Sequence, residues 1–278
     1  MAQATLEGLV AGEKVYGHGL KSGHAGCYIG PMIDVEICVD SAAGALAAEQ
    51  GGARRVELCD NLLEGGTTPS AGTIKVARKL IQIGLQVIIR PRGGDFLYSE
   101  EEMEIIREDI AMAKVLGADG IVCGFLDAEG RVDRSRTAEI IALTRPLNFT
   151  FHRAFDMARD PFEALEDLVA LGANRILTSG QEATCMEGLE LLSELRARAA
   201  GRIIIMPGGG LTPRNVRKVV DATGVSEVHL SARHTVESGM THRNSRCFMG
   251  GTLRPPEFSW KVTDPEAVRQ VVANLSRG

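Results

Sequence analysis

The sequence predicts a single α/β domain, an eight-stranded (β/α)8 barrel of the TIM type, and three observations predict it. From Met32 onward, short apolar runs alternate with longer segments of helical period, the order that lays down a parallel sheet. The alternation occurs eight times at nearly even spacing, as closure into a barrel requires. A Gly-Ala pair just ahead of a strand recurs in GGARRVEL, LGADGIVC and LGANRILT, with TGVSEVHL as a looser copy. Each such glycine can end the preceding helix in the left-handed conformation. The competing architecture is an open doubly wound sheet, which usually carries G-x-G-x-x-G after its first strand. Here that turn reads VDSAAGAL.

Taken in order, strands are expected at Met32 to Val39, Arg54 to Cys59, Gln86 to Arg90, Asp119 to Gly124, Asn148 to His152, Asn174 to Thr178, Arg202 to Pro207 and Val225 to Ser231. Residues 32–278 form the barrel in this reading. Residues 1–31 are rich in glycine and polar residues without periodicity and read as a mobile tail, in which His18, His24 and Cys27 are uncommitted rather than metal ligands.

Composition narrows the function. A formal net charge of -5 with no basic run lacks the footprint of a nucleic-acid or anionic-membrane binder. No stretch approaches the roughly 18 apolar residues of a membrane span, and the start lacks a basic region followed by an apolar one, so a cytoplasmic protein is expected. The 6 cysteines are too scattered for a stapled secreted fold, and none forms C-x-x-C; free thiols follow. Association into a homo-oligomer stays open.

Side chains alternate across a strand, so parity sorts each strand into a helix-facing and a lumen-facing set. In the first, Ile33, Val35, Ile37 and Val39 oppose Asp34, Glu36, Cys38 and Asp40. Val56 and Leu58 oppose Glu57 and Cys59; Val87 and Ile89 oppose Arg90 and Arg92. Phe149 and Phe151 oppose Thr150 and His152; Val228 and Leu230 oppose His229, Ser231 and Arg233. With the apolar faces under the helices, Glu36, Glu57, Arg90, His152 and His229 converge inside. A barrel interior is normally filled by branched apolar side chains, and buried charges must be paired. Arg90 is expected to bridge Glu36 and Glu57. Carboxylates beside histidines suit proton transfer, or ligation of a divalent metal such as zinc or manganese; a self-satisfied structural network is the alternative.

Two loops are arranged for an anion. After strand seven, MPGGGLTPRN leaves the N–H groups of Gly208, Gly209 and Gly210 ahead of a helix expected to be capped at Thr212, with Pro213 following. After strand eight come Ser231 and Arg233. Barrels of this fold often hold phosphate with these two loops, although simple tight turning would also explain the glycines. The segment from His234 to Ser259 is long enough for a lid, and RPRGGDFLYSEEE puts arginines and Asp95 at the rim.

Cys38 lies two residues beyond Glu36, and Cys59 two beyond Glu57, so both point inward near the same end of neighbouring strands. Two such thiolates could hold one Cu(I), a soft ion suited to sulfur; the alternative is that each is a small buried hydrophobe. Cys123, Cys185 and Cys247 have no partner in this register.

The segments EICVDS, GGARRVELCDNLLEGGTTPS, IIRPRGGDFLYSEEE, FHRAFD, LTSG, MPGGG and HLSAR resemble the CutC family of copper homeostasis proteins, and the resemblance runs from Met32 to Val272. It implies a β/α barrel, a cytoplasmic location and copper handling through Cu(I) at Cys38 and Cys59. Family membership leaves open whether the chain is an enzyme. The carboxylates, imidazoles and glycine loop keep a second hypothesis in play, catalysis on a small phosphorylated or carboxylated metabolite using Glu36, Glu57, Arg90, His152 and His229.

Overall fold

The computed structural model describes residues 33–276; the expected tail, with His18, His24 and Cys27, lies outside them. Seven expected strands contain an observed one and the third is shifted two residues toward the amino terminus: β1 Asp34–Val39, β2 Arg55–Leu58, β3 Gly84–Ile88, β4 Gly120–Cys123, β5 Asn148–Phe151, β6 Arg175–Thr178, β7 Ile204–Pro207 and β8 Glu227–Leu230. They pair in parallel in the order β7-β6-β5-β4-β3-β2-β1-β8, and a parallel bridge between Gly208 and His229 closes the ring. Helices α1 Ala42–Gln50, α2 Ala71–Leu80, α3 Glu100–Val115, α4 Arg134–Thr144, α5 Pro161–Leu171, α6 Leu189–Ala199 and α7 Val216–Thr223 connect successive strands, and α8 Pro265–Ser276 follows the last.

Local chemistry explains why these segments fold as they do. In α3, Ser99 and Glu102 form a reciprocal capping box, Glu100 to Glu102 sit at the positive end of the helix, and Met103, Ile106, Ile110 and Ala113 line its buried face. The recurrent glycine acts as a helix stop: Gly117 and Gly172 take φ of 89° and 78°. Helix α7 departs from expectation. It starts at Val216 rather than after a Thr212 cap, because the Asn215 side chain accepts from Thr212 N–H (2.7 Å) and donates to the Gly210 carbonyl (2.9 Å), tying the approach into a turn. The segment expected as a lid contains an antiparallel hairpin, β9 Arg233–Glu237 with β10 Ser259–Thr263, and the residues between its strands are largely exposed.

Two apolar shells result. Val35, Ile37, Val39, Val56, Leu58, Val87 and Ile89 face the helices in one continuous core. Inside the barrel lies a small separate cluster, Cys38, Cys59, Ile88 and Val122, against which Leu62 packs. Met206 also points inward, its Sδ accepting from Arg55 Nη2 at 3.1 Å, and polar or charged side chains such as Glu36, Arg55, Glu57, Arg175 and Glu227 occupy much of the remaining lumen.

Candidate functional site

The amino-terminal half of the lumen is an ionic network. Glu36 stands level with Arg55 on one side and His229 on the other. Arg55 donates from Nε to Glu36 and from Nη2 to Glu227. Arg175 takes Glu227 with two nitrogens, at 2.5 and 3.0 Å, and reaches Thr150 Oγ1 at 3.3 Å. Two guanidinium groups thus answer two carboxylates, the pairing a buried charge requires. Burial alone would raise the Glu36 carboxyl, but Arg55 and the His229 hydrogen bond reverse that and hold it at about 2.

One layer higher, the register puts Cys38 beside Glu57. The Cys38 and Cys59 sulfurs are 3.7 Å apart, and Cys59 Sγ donates to Glu57 Oε2 at 3.4 Å. His229 spans the two layers, with Nδ1 2.8 Å from Glu36 Oε1 and Nε2 3.6 Å from Glu57 Oε2. Among the described residues, Cys38, Glu57 and Cys59 bring three potential ligand atoms within 4.8 Å of one another. Burial pushes Glu57 up to about 8. His229 is held well above its ordinary value despite burial, by Glu57, Cys38 and Glu36. The hydrogen bond from Cys59, with His229 beside it, brings Cys38 down to about 5 against the effect of burial, and the same hydrogen bond raises Cys59. The shared hydrogen bond thus favours loss of the proton from Cys38 and keeps it on Cys59, beside a His229 ring that favours positive charge, and two sulfurs are a donor set that suits a soft monovalent metal ion better than a hard one.

The structure brings Glu36, Glu57 and His229 together as expected and corrects the expectation for Arg90. Its guanidinium donates to the carbonyls of Glu64 (2.7 Å), Gly66 (2.9 Å) and Gly94 (2.8 Å), not to Glu36 or Glu57. The cause is height. Gln86 is level with Glu57, and Arg90 lies four residues further on, roughly 13 Å along the strand direction. Arg55 pairs with Glu36 instead and links it to Glu227, while His229 is the group that lies between Glu36 and Glu57. Arg55, Arg175 and Glu227 share the parity of the lumen-facing set, so the alternation that found Glu57 and His229 contained the signal for them as well.

His152 follows β5 and packs on Phe96 beside Arg90. Of the residues expected to cradle an anion, Gly208 donates its N–H to Thr178 O (2.9 Å) as part of the sheet. Gly209 and Gly210 adopt φ of 122° and 72°. Ser231 is half-buried at the end of β8, and Arg233 faces Asp40 at 3.7 Å. The cation beside the glycine turn is Arg153, anchored by Asp156 (2.7 Å) and Ser179 Oγ (2.8 Å) and close enough to Gly209 that a Cβ there would lie 3.5 Å from the guanidinium. Arg153 follows His152 directly in FHRAFD, and the sequence alone gave it no role. The five cysteines described are free thiols; Cys123 donates to Ile89 O at 3.1 Å, where burial raises it, and Cys247 is exposed.

Fold and site together define a β/α barrel with a buried dithiol set among charged groups. The chain belongs to the CutC family, whose sequence model matches residues 33–234. A mouse relative, "Copper homeostasis protein cutC homolog", is 50% identical over 254 residues, 91% of this chain and 93% of its own length. A crystal structure of a CutC protein from Streptococcus agalactiae superposes with a TM-score of 0.69 at 37% identity, covering 72% of this chain and 99% of that one. Phosphoribosylanthranilate isomerase from Pyrococcus furiosus, at 14% identity and a TM-score of 0.53, covers 88% of this chain and 100% of its own, and shares the fold. No helix among the described residues is long and apolar enough to cross a membrane.

Proposed function

We propose that this protein serves copper homeostasis in the cytoplasm by holding one Cu(I) between Cys38 and Cys59. The observation that carries the reading is the 3.7 Å approach of two sulfurs just above a layer of lumen charges that pair with one another. Thiolates select soft ions, and a ligating thiol must give up its proton. Cys38 meets the ion as a thiolate, and Cys59 releases its proton on ligation. The His229 imidazolium then faces the negative charge of the resulting dithiolate complex, while Leu62, Ile88 and Val122 keep water from the sulfurs. The copper homeostasis name of the mouse relative supports the same reading.

The test is anaerobic titration with Cu(I) against a competing chelator. One ion per chain is expected, and the Cys38→Ser, Cys59→Ser double variant should lose more affinity than the roughly 10- to 100-fold that follows removal of an outer partner of a metal ligand. A folded double variant that binds as tightly as the parent would overturn the assignment.

A further inference from the structure

The lumen holds a second polar group that copper binding does not use. Arg90 and His152 flank the ring of Phe96: the imidazole lies 5.0 Å away between centroids, and the guanidinium carbon 5.2 Å from the same centroid. His152 Nδ1 accepts from Ala154 N–H (3.2 Å), so in the neutral ring the proton sits on Nε2. Burial, with the Arg90 charge beside it, pushes His152 down to about 3 and keeps it neutral. That Nε2–H has no acceptor, nor does Arg90 Nε, whose companion nitrogens are fixed on three carbonyls. The Tyr98 hydroxyl, held protonated by burial, is buried next to the Arg90 guanidinium, which can donate to its oxygen, while its own proton has no acceptor. Three neighbouring buried donors without acceptors are uncommon in a folded protein, because each carries the cost of lost hydration.

Phe96 also lines a cavity of about 620 Å³ between the loops that follow β3, β4 and β5, and the same ring packs on Arg90 and His152. The volume falls in the range of small-molecule sites. Leu97 and Leu126 give the cavity apolar wall, Arg153 adds a cation, and Asp95 and Asp127 add acidic groups.

We propose that Arg90, Tyr98 and His152 bind the carboxylate of a small organic acid, admitted when the Phe96 ring swings aside, with the remainder of the acid in the cavity. The chemistry selects the class. All three groups can donate, which suits a ligand group that only accepts, and a planar carboxylate can take two or three such bonds. The cradle carries a single positive charge, from Arg90, which a monoanion neutralises. A phosphate dianion would leave a buried negative charge uncompensated, and Asp95 and Asp127 oppose it further. The cradle uses none of Cys38, Glu57 and Cys59, so its test is read apart from Cu(I) binding, even though Arg90 holds the Gly66 carbonyl in a turn that packs against Cys59.

The experiment uses protein labelled with nitrogen-15 at histidine and the probes acetate, pyruvate and inorganic phosphate. Pyruvate should move the His152 Nε2–H resonance saturably and raise the melting temperature, with acetate weaker and phosphate without effect on that resonance. Phe96→Ala should tighten pyruvate binding roughly tenfold, since the free protein no longer has to leave a closed state. Adding His152→Phe to that variant should abolish the gain while circular dichroism shows it folded. The Cys38→Ser, Cys59→Ser variant should bind pyruvate as the parent does. No His152 response to either carboxylate in both the parent and a folded Phe96→Ala variant would overturn the proposal. So would phosphate binding at His152 as tightly as pyruvate.

Discussion

Replacing Arg55 with methionine separates the ionic network from the rest of the barrel. Arg55 bridges Glu36 and Glu227, and Glu227 keeps its two bonds to Arg175, so the loss falls on Glu36. That residue is 1% exposed and retains only His229 as a hydrogen-bond partner. Removing one member of a buried ion pair costs about 3–5 kcal/mol. The carboxyl's own displacement gives a similar figure: a fall from 4.5 to about 2, at about 1.4 kcal/mol per unit, is about 3 kcal/mol. At roughly 2–4 °C per kcal/mol for a chain of this size, the melting temperature should drop by about 10 °C. The pH dependence supplies a second check. Because the folded value is depressed, the stabilisation is complete above the unfolded value and lost as pH falls through about 2. In the variant, burial without Arg55 raises Glu36, so the deficit is largest near neutral pH and shrinks on acidification. Urea unfolding followed by circular dichroism at neutral pH and near pH 4 measures both. A deficit below about 0.5 kcal/mol, or one that does not shrink, would refute the account.

Arg90→Met should cost less, about 2 kcal/mol, because it frees loop carbonyls that can turn to water and strands no carboxylate; its Cu(I) affinity should match the parent's, and a loss as large as that of Arg55→Met would reverse the assignment. His152 has a folded value of about 3, below the unfolded 6.5, so the unfolded chain takes up the proton first. Its contribution to stability should therefore decline by about 1.4 kcal/mol per pH unit from about 6.5 down to 3, and a folded His152→Phe variant should lose that slope; acid unfolding curves of equal slope would count against a buried neutral imidazole. Gly188→Ala places a Cβ 2.0 Å from Ser179 O, so the loop after β6 must shift, at about 1–3 kcal/mol in thermal melts; an unchanged melting temperature would show that the two backbones are not so close.

The fold was legible because two local signals agree. Alternating apolar runs located all eight strands, and the glycine ahead of several of them marks helix ends that the backbone realises with positive φ. Parity also assigned the faces, so Glu36, Glu57, Cys38, Cys59 and His229 were placed inside. Height along the barrel was not legible, because parity repeats every two residues and says nothing of the stagger between strands. That is why Arg90 was matched with carboxylates several residues below it, and why Arg55, which shares its strand with Glu57, was passed over as the bridge. The glycine turn was located correctly, but its neighbouring cation, Arg153, arrives from β5, across a contact no spacing within the sequence encodes.

The distribution of unpaired atoms separates what the lumen charges are for. Around Arg55 and Arg175, each carboxylate oxygen of Glu36 and Glu227 has a partner, so the network closes on itself and asks for no ligand. Gln86 Oε1, in the next layer beside Glu57, has no partner and is pressed toward Gly120, where a Cβ would lie 1.8 Å from it. Further along the axis the pattern changes: Glu57 Oε1, Arg90 Nε, Tyr98 Oη and His152 Nε2 are all buried and unpartnered. A sequence selected for stability alone would not put costly polar groups in a barrel interior and then leave them open, whereas local violations of packing rules are expected where a site has to be held ready. The same change in height separates the two sets of open groups. The thiols lie between β1 and β2 under Leu62, and the donor cradle lies between β3 and β5 under Phe96. On the two proposals above, one barrel mouth holds two covered sites of opposite chemical preference, a soft cation on one side and an organic anion on the other, above an ionic network that closes on itself.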